Sequence, residues 1–242
     1  MKTLLSSALL ALSLLLSGCH DHDIFPDRIS GSGPVEAENR AVSAFNRVDL
    51  AIDGTVYLTQ GTPASVRVEA QRNVLEVLQT SVSGEKLSIG FGRVQVRRHE
   101  PIRVYITTPN LQAVAVAGSG ELQGKEGWQV QDLDLALSGS GSIGFDNITA
   151  RDLDTDISGS GTVRLSGAAH SHSVDLSGSG KVEAYGLRLQ TADVRISGSG
   201  ACYLTASEAL RATISGSGNI YYRGRPAVTV RVSGSGRVVD AN

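Results

Sequence analysis

The chain is short of aromatic residues, of cysteine, of net charge and of long apolar runs, and each shortage excludes something. Aromatic side chains make up 5% of the 242 residues, so the core has to be a thin column of aliphatic side chains rather than a wide globular centre. Two cysteines, Cys19 and Cys202, cannot make the disulfide framework of a small secreted scaffold. Lys and Arg number 22 against 24 Asp and Glu, a net charge of −2, which leaves no basic surplus for a nucleic-acid partner. The main apolar run, Leu4 to Leu16, is 13 residues long, too short for an ordinary transmembrane helix. No Gly-x-Ser-x-Gly elbow occurs, so the usual serine-hydrolase signature is missing.

Glycine, by contrast, is abundant at 28 residues, and it is patterned. Ala-Gly-Ser-Gly begins at Ala117, and Ser-Gly-Ser-Gly begins at Ser138, Ser158, Ser177, Ser197, Ser215 and Ser233, at intervals of 21, 20, 19, 20, 18 and 18 residues. Such a period marks a solenoid of stacked repeats. Immediately before each word stand Val116, Leu137, Ile157, Leu176, Ile196, Ile214 and Val232; two places earlier stand Val114, Leu135, Thr155, Val174, Val194, Ala212 and Val230. The second residue after each word is Leu122, Ile143, Val163, Val182, Cys202, Ile220 or Val238. Period two on both sides of a glycine corner predicts two short strands with one buried face. A repeat of this length has no room for a crossover helix, so the fold class is all-β, a parallel β-solenoid with turns of about 19 residues stacked about 4.8 Å apart.

Both glycines of each word are expected to serve a tight corner, through positive φ or through close approach of the turn beneath. The serines between them, Ser119, Ser140, Ser160, Ser179, Ser199, Ser217 and Ser235, are expected to form a structural column whose hydroxyls bond one another or the corner backbone. Cys202 fills a slot that holds Ile, Val or Leu in other turns and is read as a small buried hydrophobe.

Residues 1–18 read as a signal peptide, with Lys2 ahead of the apolar run. Leu16-Ser17-Gly18-Cys19 resembles the lipobox of bacterial lipoproteins, which implies cleavage before Cys19 and a lipid anchor on its thiol. His20 rather than aspartate follows, and the resemblance to the usual sorting pattern implies the outer membrane. Residues 19–44 are polar, carry Pro26, Pro34 and an extra Ser-Gly-Ser-Gly at Ser30, and read as a flexible tether. His20, Asp21, His22 and Asp23 lie on it as a solvated spacer rather than a metal site.

Residues 45–239 are the β-helix domain. Within it, 112–239 hold the repeat turns, and 45–111 are degenerate first turns that cap the N-terminal end, with Ala51 to Gly54 standing where Ser177 to Gly180 stand later. No comparable cap is visible after Val239, so the C-terminal edge is expected to invite end-to-end pairing with another copy. Arg93, Arg97, Arg98 and Arg103 form a basic cluster read as a solvated loop.

Candidate functional residues are few. Gly139 to Gly144 satisfy Gly-x-Gly-x-x-Gly but continue a repeat instead of opening a helix, so they are not a dinucleotide site. His172 stands at an aliphatic core position and reads as a packing defect. The remaining constellation is acidic. The repeat register stacks Asp134, Asp154, Ser173 and Asp193 in one outward column and Asp156, Asp175 and Arg195 in the next. Carboxylates on neighbouring turns about 5 Å apart repel one another, which a bound cation, a glycan or an acid pair could exploit. The bland account is a solvated face partly neutralised by Arg195.

Several separate motifs point one way: Val48-Asp49-Leu50, Thr59-Gln60-Gly61, Val104 to Leu111, the Ser-Gly-Ser-Gly ladder, and Asn219 to Gly224. From Phe45 to Val239 the chain resembles the auto-transporter adhesin family with the head GIN domain. The resemblance implies a right-handed β-helix on a secreted or lipid-anchored envelope protein, with no catalytic set and no cofactor to carry over. The expected function is a non-enzymatic binding or structural module, anchored in the membrane by lipid, with a surface glycan or protein as its ligand. The competing class is a carbohydrate-active enzyme or calcium-dependent glycan-binding protein using the aspartate columns.

Overall fold

The computed structural model describes residues 28–125 and 127–242; the signal peptide, Cys19 and the residues up to 27 lie outside them. The N-terminal part comprises β1 (Arg28–Ser30), β2 (Val35–Arg40), β3 (Arg47–Ala51), β4 (Thr55–Gln60), β5 (Ser65–Gln71), α1 (Arg72–Val77), β6 (Gln79–Ser83), β7 (Lys86–Gly90), β8 (Gln95–Arg97) and β9 (Arg103–Thr108). The repeat region follows as β10 (Ala113–Gly118), β11 (Glu121–Lys125), β12 (Asp132–Gly139), β13 (Ser142–Gly159), β14 (Thr162–Gly178), β15 (Lys181–Gly198), β16 (Ala201–Gly216), β17 (Asn219–Arg223), β18 (Ala227–Gly234) and β19 (Arg237–Asp240).

From β10 onward every turn lies parallel on the next in the register the repeat predicts. Val116, Leu137, Ile157, Leu176, Ile196, Ile214 and Val232 are mutual partners up the stack. All but Val232 are buried, so the core is the expected aliphatic column. Phe145 and Trp128 meet edge to face at 6.0 Å inside it. Turn length varies because the register shifts beyond the corner, between Phe145 and Ile148, Arg164 and Ser166, and Ala184 and Arg188. The corners themselves stay aligned.

The two glycines of a corner serve different needs. Gly159 has φ +127°, and a Cβ there would stand 2.5 Å from the Gly139 carbonyl oxygen. Gly161 has no positive φ, but a Cβ would meet the Gly141 carbonyl oxygen at 2.7 Å. The serine between them contributes through its backbone: the Ser160, Ser179, Ser199, Ser217 and Ser235 N–H groups each donate at 2.9 Å to the first glycine of the turn below. The hydroxyls point outward, exposed, so the expected hydroxyl ladder is replaced by a main-chain one.

The N-terminal turns do not stack in chain order. β3 and β4 pair with β10 and β11 on one side and with β7 and β9 on the other, so the first turn in the sequence lies between the second and the third. Val48 and Leu50 still match Val114 and Val116, and Gly54 precedes Thr55 as Gly120 precedes Glu121, the alignment the sequence indicates. Beyond β7 and β9 the solenoid is closed by antiparallel strands: β5 on β9, β2 on β5, and β6 on β7. α1 lies there too, burying Val74 and Leu75. Burial of Leu75 alone is worth about 2 kcal/mol.

The cap begins earlier than composition indicated. β1 pairs with β8 and β2 with β5, and both lie in the stretch assigned to the tether. β2 is exposed along most of its length, as an edge strand with a solvated face can be, and its polar residues therefore resemble a linker. The extra Ser-Gly-Ser-Gly is tied down as well: Ser32 N–H donates to Asn73 Oδ1 at 2.8 Å, and Asn73 Nδ2 donates to the Ser30 carbonyl at 2.8 Å.

Candidate ligand-binding groove

The first strand of each turn carries its apolar residues inward and short polar residues outward. The pairing places Asp134 beside Asp154, Asp154 beside Ser173, and Ser173 beside Asp193. The next column runs Asp156, Asp175, Arg195. Both predicted columns therefore exist. A third, Asp132, Asp152, Ser171, Thr191, stands two residues earlier on each strand; carrying the period-two count one step further back from the corner would have found it.

Basic side chains divide this acidic face. Arg195 reaches Asp193 at 2.8 Å and Asp175 at 3.4 Å. Arg151 holds Asp132 through both carboxylate oxygens, at 2.7 and 2.9 Å, and Asp152 at 2.8 Å. The Ser171 hydroxyl donates to Asp152 at 2.6 Å and, with Arg151, holds its carboxyl below the usual range against partial desolvation. Asp154 goes the other way. Partial burial and then the Asp134 charge raise its pKa, with the Ser173 hydroxyl pulling it down. Asp134, Asp154 and Asp156 form no ion pair among the described residues.

Among the described residues no group of three or more His, Cys, Asp or Glu side chains is arranged to hold a metal ion. Arginine already supplies countercharge at Asp132, Asp152, Asp175 and Asp193, which weighs against the cation reading of the columns. Asp134 and Asp154 project side by side from adjacent parallel strands. A catalytic carboxyl pair flanks a bond from two sides, and this arrangement does not.

Along the same face runs a groove of about 620 Å³. Ala115, Ala136, Asp156, Asp175, Arg195 and Thr213 line one side and Ala117, Ser138, Ser158, Ser177, Ser197 and Ser215 the other. It exists because these outward positions are mostly Ala and Ser, whose short side chains leave the sheet bare. Five intervals of about 4.8 Å give it a length of roughly 24 Å along the stack. A separate basin of about 900 Å³, lined by Arg47, Gln112, Gln131, Asp132, Asp134 and Arg151 among others, adjoins the outer column.

The other sequence candidates are not drawn into a site. Cys202 is buried, and burial pushes its thiol up to about 12, so it is inert. Arg93, Arg97, Arg98 and Arg103 are exposed around β8 and the start of β9, away from both concavities. Gly139 to Gly144 form a corner and a strand. His172 is not a bare defect: its Nε2 lies 2.9 Å from the Thr155 hydroxyl inside the core.

None of the curated proteins matches this chain. Among solved structures, a putative adhesin from Bacteroides fragilis NCTC 9343 is 25% identical with a TM-score of 0.81, covering 87% of this chain and 98% of its own. A putative adhesin from Parabacteroides distasonis ATCC 8503 is 25% identical with a TM-score of 0.74, covering 88% and 99%. A protein from the same organism described as a putative lipid binding protein shares the fold, at 23% identity and a TM-score of 0.75, over 88% of this chain and 100% of its own. Residues 44–226 match the family described as putative auto-transporter adhesin, head GIN domain. With the aligned corners, the parallel stack and a match over most of its length, the chain belongs to that family.

Proposed function

We propose that the chain is a non-enzymatic binding module of the cell envelope, held to the outer membrane through lipid on Cys19, whose outward groove receives an extended glycan. The observation that carries this reading is the groove. It runs along six turns, and its small Ala and Ser side chains admit a chain close to the sheet. Ser158, Ser177 and Ser197 repeat along it with Asp156, Asp175 and Arg195 beside them. Hydroxyls and carboxylates at the spacing of successive turns suit a polymer rich in hydroxyl groups, with each turn able to offer the same donors and acceptors. The adhesin descriptions of the family and of two structural relatives agree with a recognition role at the cell surface.

The test is a glycan and extracellular-matrix array probed with the chain from His20, with and without calcium. Binding is expected to be independent of calcium, because Arg195 already supplies countercharge to Asp175 in the groove. An Asp156→Asn, Asp175→Asn variant should bind at least about tenfold more weakly, since truncating hydrogen-bonded charges at a ligand contact costs about 1.5–3 kcal/mol. Silence across the array from a well-folded chain would sink the glycan reading. Cleavage of a bound polysaccharide that Asp154→Asn abolishes would replace it with the enzyme reading.

A further inference from the structure

The two ends of the solenoid are finished differently. At the N-terminal end β2, β5, β6 and α1 close the stack. At the other end Val228, Val230 and Val232 lie on Leu210, Ala212 and Ile214, which are at most 1% exposed, yet are themselves 37, 47 and 42% exposed. They sit at core positions, and among the described residues no turn lies above them. β18 pairs with β16 on one edge only, so its other edge presents unpaired main-chain donors and acceptors, a template for strand addition.

β18 also reads nearly the same in both directions about Val230: Ala227, Val228, Thr229, Val230, Arg231, Val232, Ser233. We propose that this end binds a second copy of the chain, β18 against β18 antiparallel, with the twofold axis at Val230. Antiparallel pairing places directly opposite residues on one face. Val230 then meets its own equivalent and Val228 meets Val232, so the three valines of each copy cover those of the other. Arg231 falls opposite Thr229, and no two like charges face each other. The contact is isologous, so its twofold axis closes it at two copies. Since paired residues share a face, the outward faces of the two copies form one surface, on which the column ending at Arg231 in each copy meets the column ending at Thr229 in the other.

Register-specific cross-linking of the full-length chain, purified in detergent, tests this. Under a mild oxidant Val230→Cys should give a covalent dimer by itself. Val228→Cys and Val232→Cys should give one when mixed and much less when alone. Thr229→Cys, which the axis sets opposite Arg231, should yield about tenfold less than Val230→Cys, because only directly opposite Cβ atoms come within disulfide reach. The wild-type chain, with Cys19 lipidated, sets the background from the buried Cys202. In parallel, sedimentation of the unoxidised chain should show a concentration-dependent doubling of mass that Val230→Lys removes without changing the β-sheet circular dichroism. A mass of one chain at every concentration, no product from Val230→Cys, or equal yields from Thr229→Cys and Val230→Cys would overturn the proposal. None of these readouts depends on a glycan, so the dimer and the groove stand or fall separately.

Discussion

Gly159→Ala is expected to lower the melting temperature by roughly 6–20 °C, a destabilisation of about 3–5 kcal/mol in a chain of this size. Two costs combine. The backbone at φ +127° is one that side chains rarely adopt, and forcing it costs about 1–3 kcal/mol. The new methyl would also stand 2.5 Å from the Gly139 carbonyl oxygen and 3.1 Å from its nitrogen. Backing away is blocked, because the Ser160 N–H is bonded to that same Gly139 carbonyl and the Ser179 N–H to Gly159 itself, each at 2.9 Å. Two other glycines separate the costs. Gly118 has φ +93° with nothing within 4 Å of a Cβ, so Gly118→Ala should show the conformational cost alone. Gly144 has neither a positive φ nor a neighbour closer than 4.0 Å, so Gly144→Ala should be neutral or stabilise by about 0.5 kcal/mol through the unfolded chain. Thermal melts of the three variants check the series. Equal losses at Gly159 and Gly118 would mean that contact between turns does not constrain the corner.

That series also shows why so much of the architecture was legible in the amino-acid sequence. A corner that tolerates only glycine must recur wherever the chain turns, and it carries the register with it. Once Gly118, Gly139, Gly159 and their successors are aligned, Asp134 falls beside Asp154 and Asp156 beside Asp175 with no further assumption. Legibility fails where pairing leaves no local mark. The insertion of β3 between β7 and β10 is a matter of long-range order, and neither strand's residues betray which neighbour lies above. β2 is polar because it lies at an edge, which is also how a tether looks. The groove could not be read from the acidic columns alone, since it owes its depth to what is small at Ala115, Ala136 and the serines. Thr155 and His172 belong to different columns, and their contact runs diagonally between two turns, outside any comparison made along one column.

That buried pair should set how the fold responds to acid. His172 is fully enclosed, its Nε2 shares a hydrogen bond with the Thr155 hydroxyl at 2.9 Å, and burial lowers its pKa to about 4. In the unfolded chain the same imidazole titrates near 6.5. The folded form therefore binds fewer protons between those values, so stability is complete above about pH 6.5 and falls as the pH drops toward 4. A difference of about 2.5 units corresponds to roughly 3 kcal/mol at the lower end, or about 6–12 °C in melting temperature. Of the carboxylates, Asp152 has a lowered pKa and loses its contribution below this window, near and under its ordinary value. Asp154, with a raised pKa, works in the opposite direction, since taking up a proton relieves its repulsion with Asp134. A Thr155→Val, His172→Leu variant removes the imidazole and leaves no hydroxyl stranded in the core. Melts of both proteins at pH 7.5, 5.5 and 4.5 should show the wild type losing stability through the window and the variant holding nearly level. Parallel losses in the two would place the acid sensitivity elsewhere, in the surface ion pairs of Arg151 and Arg195 rather than in the core.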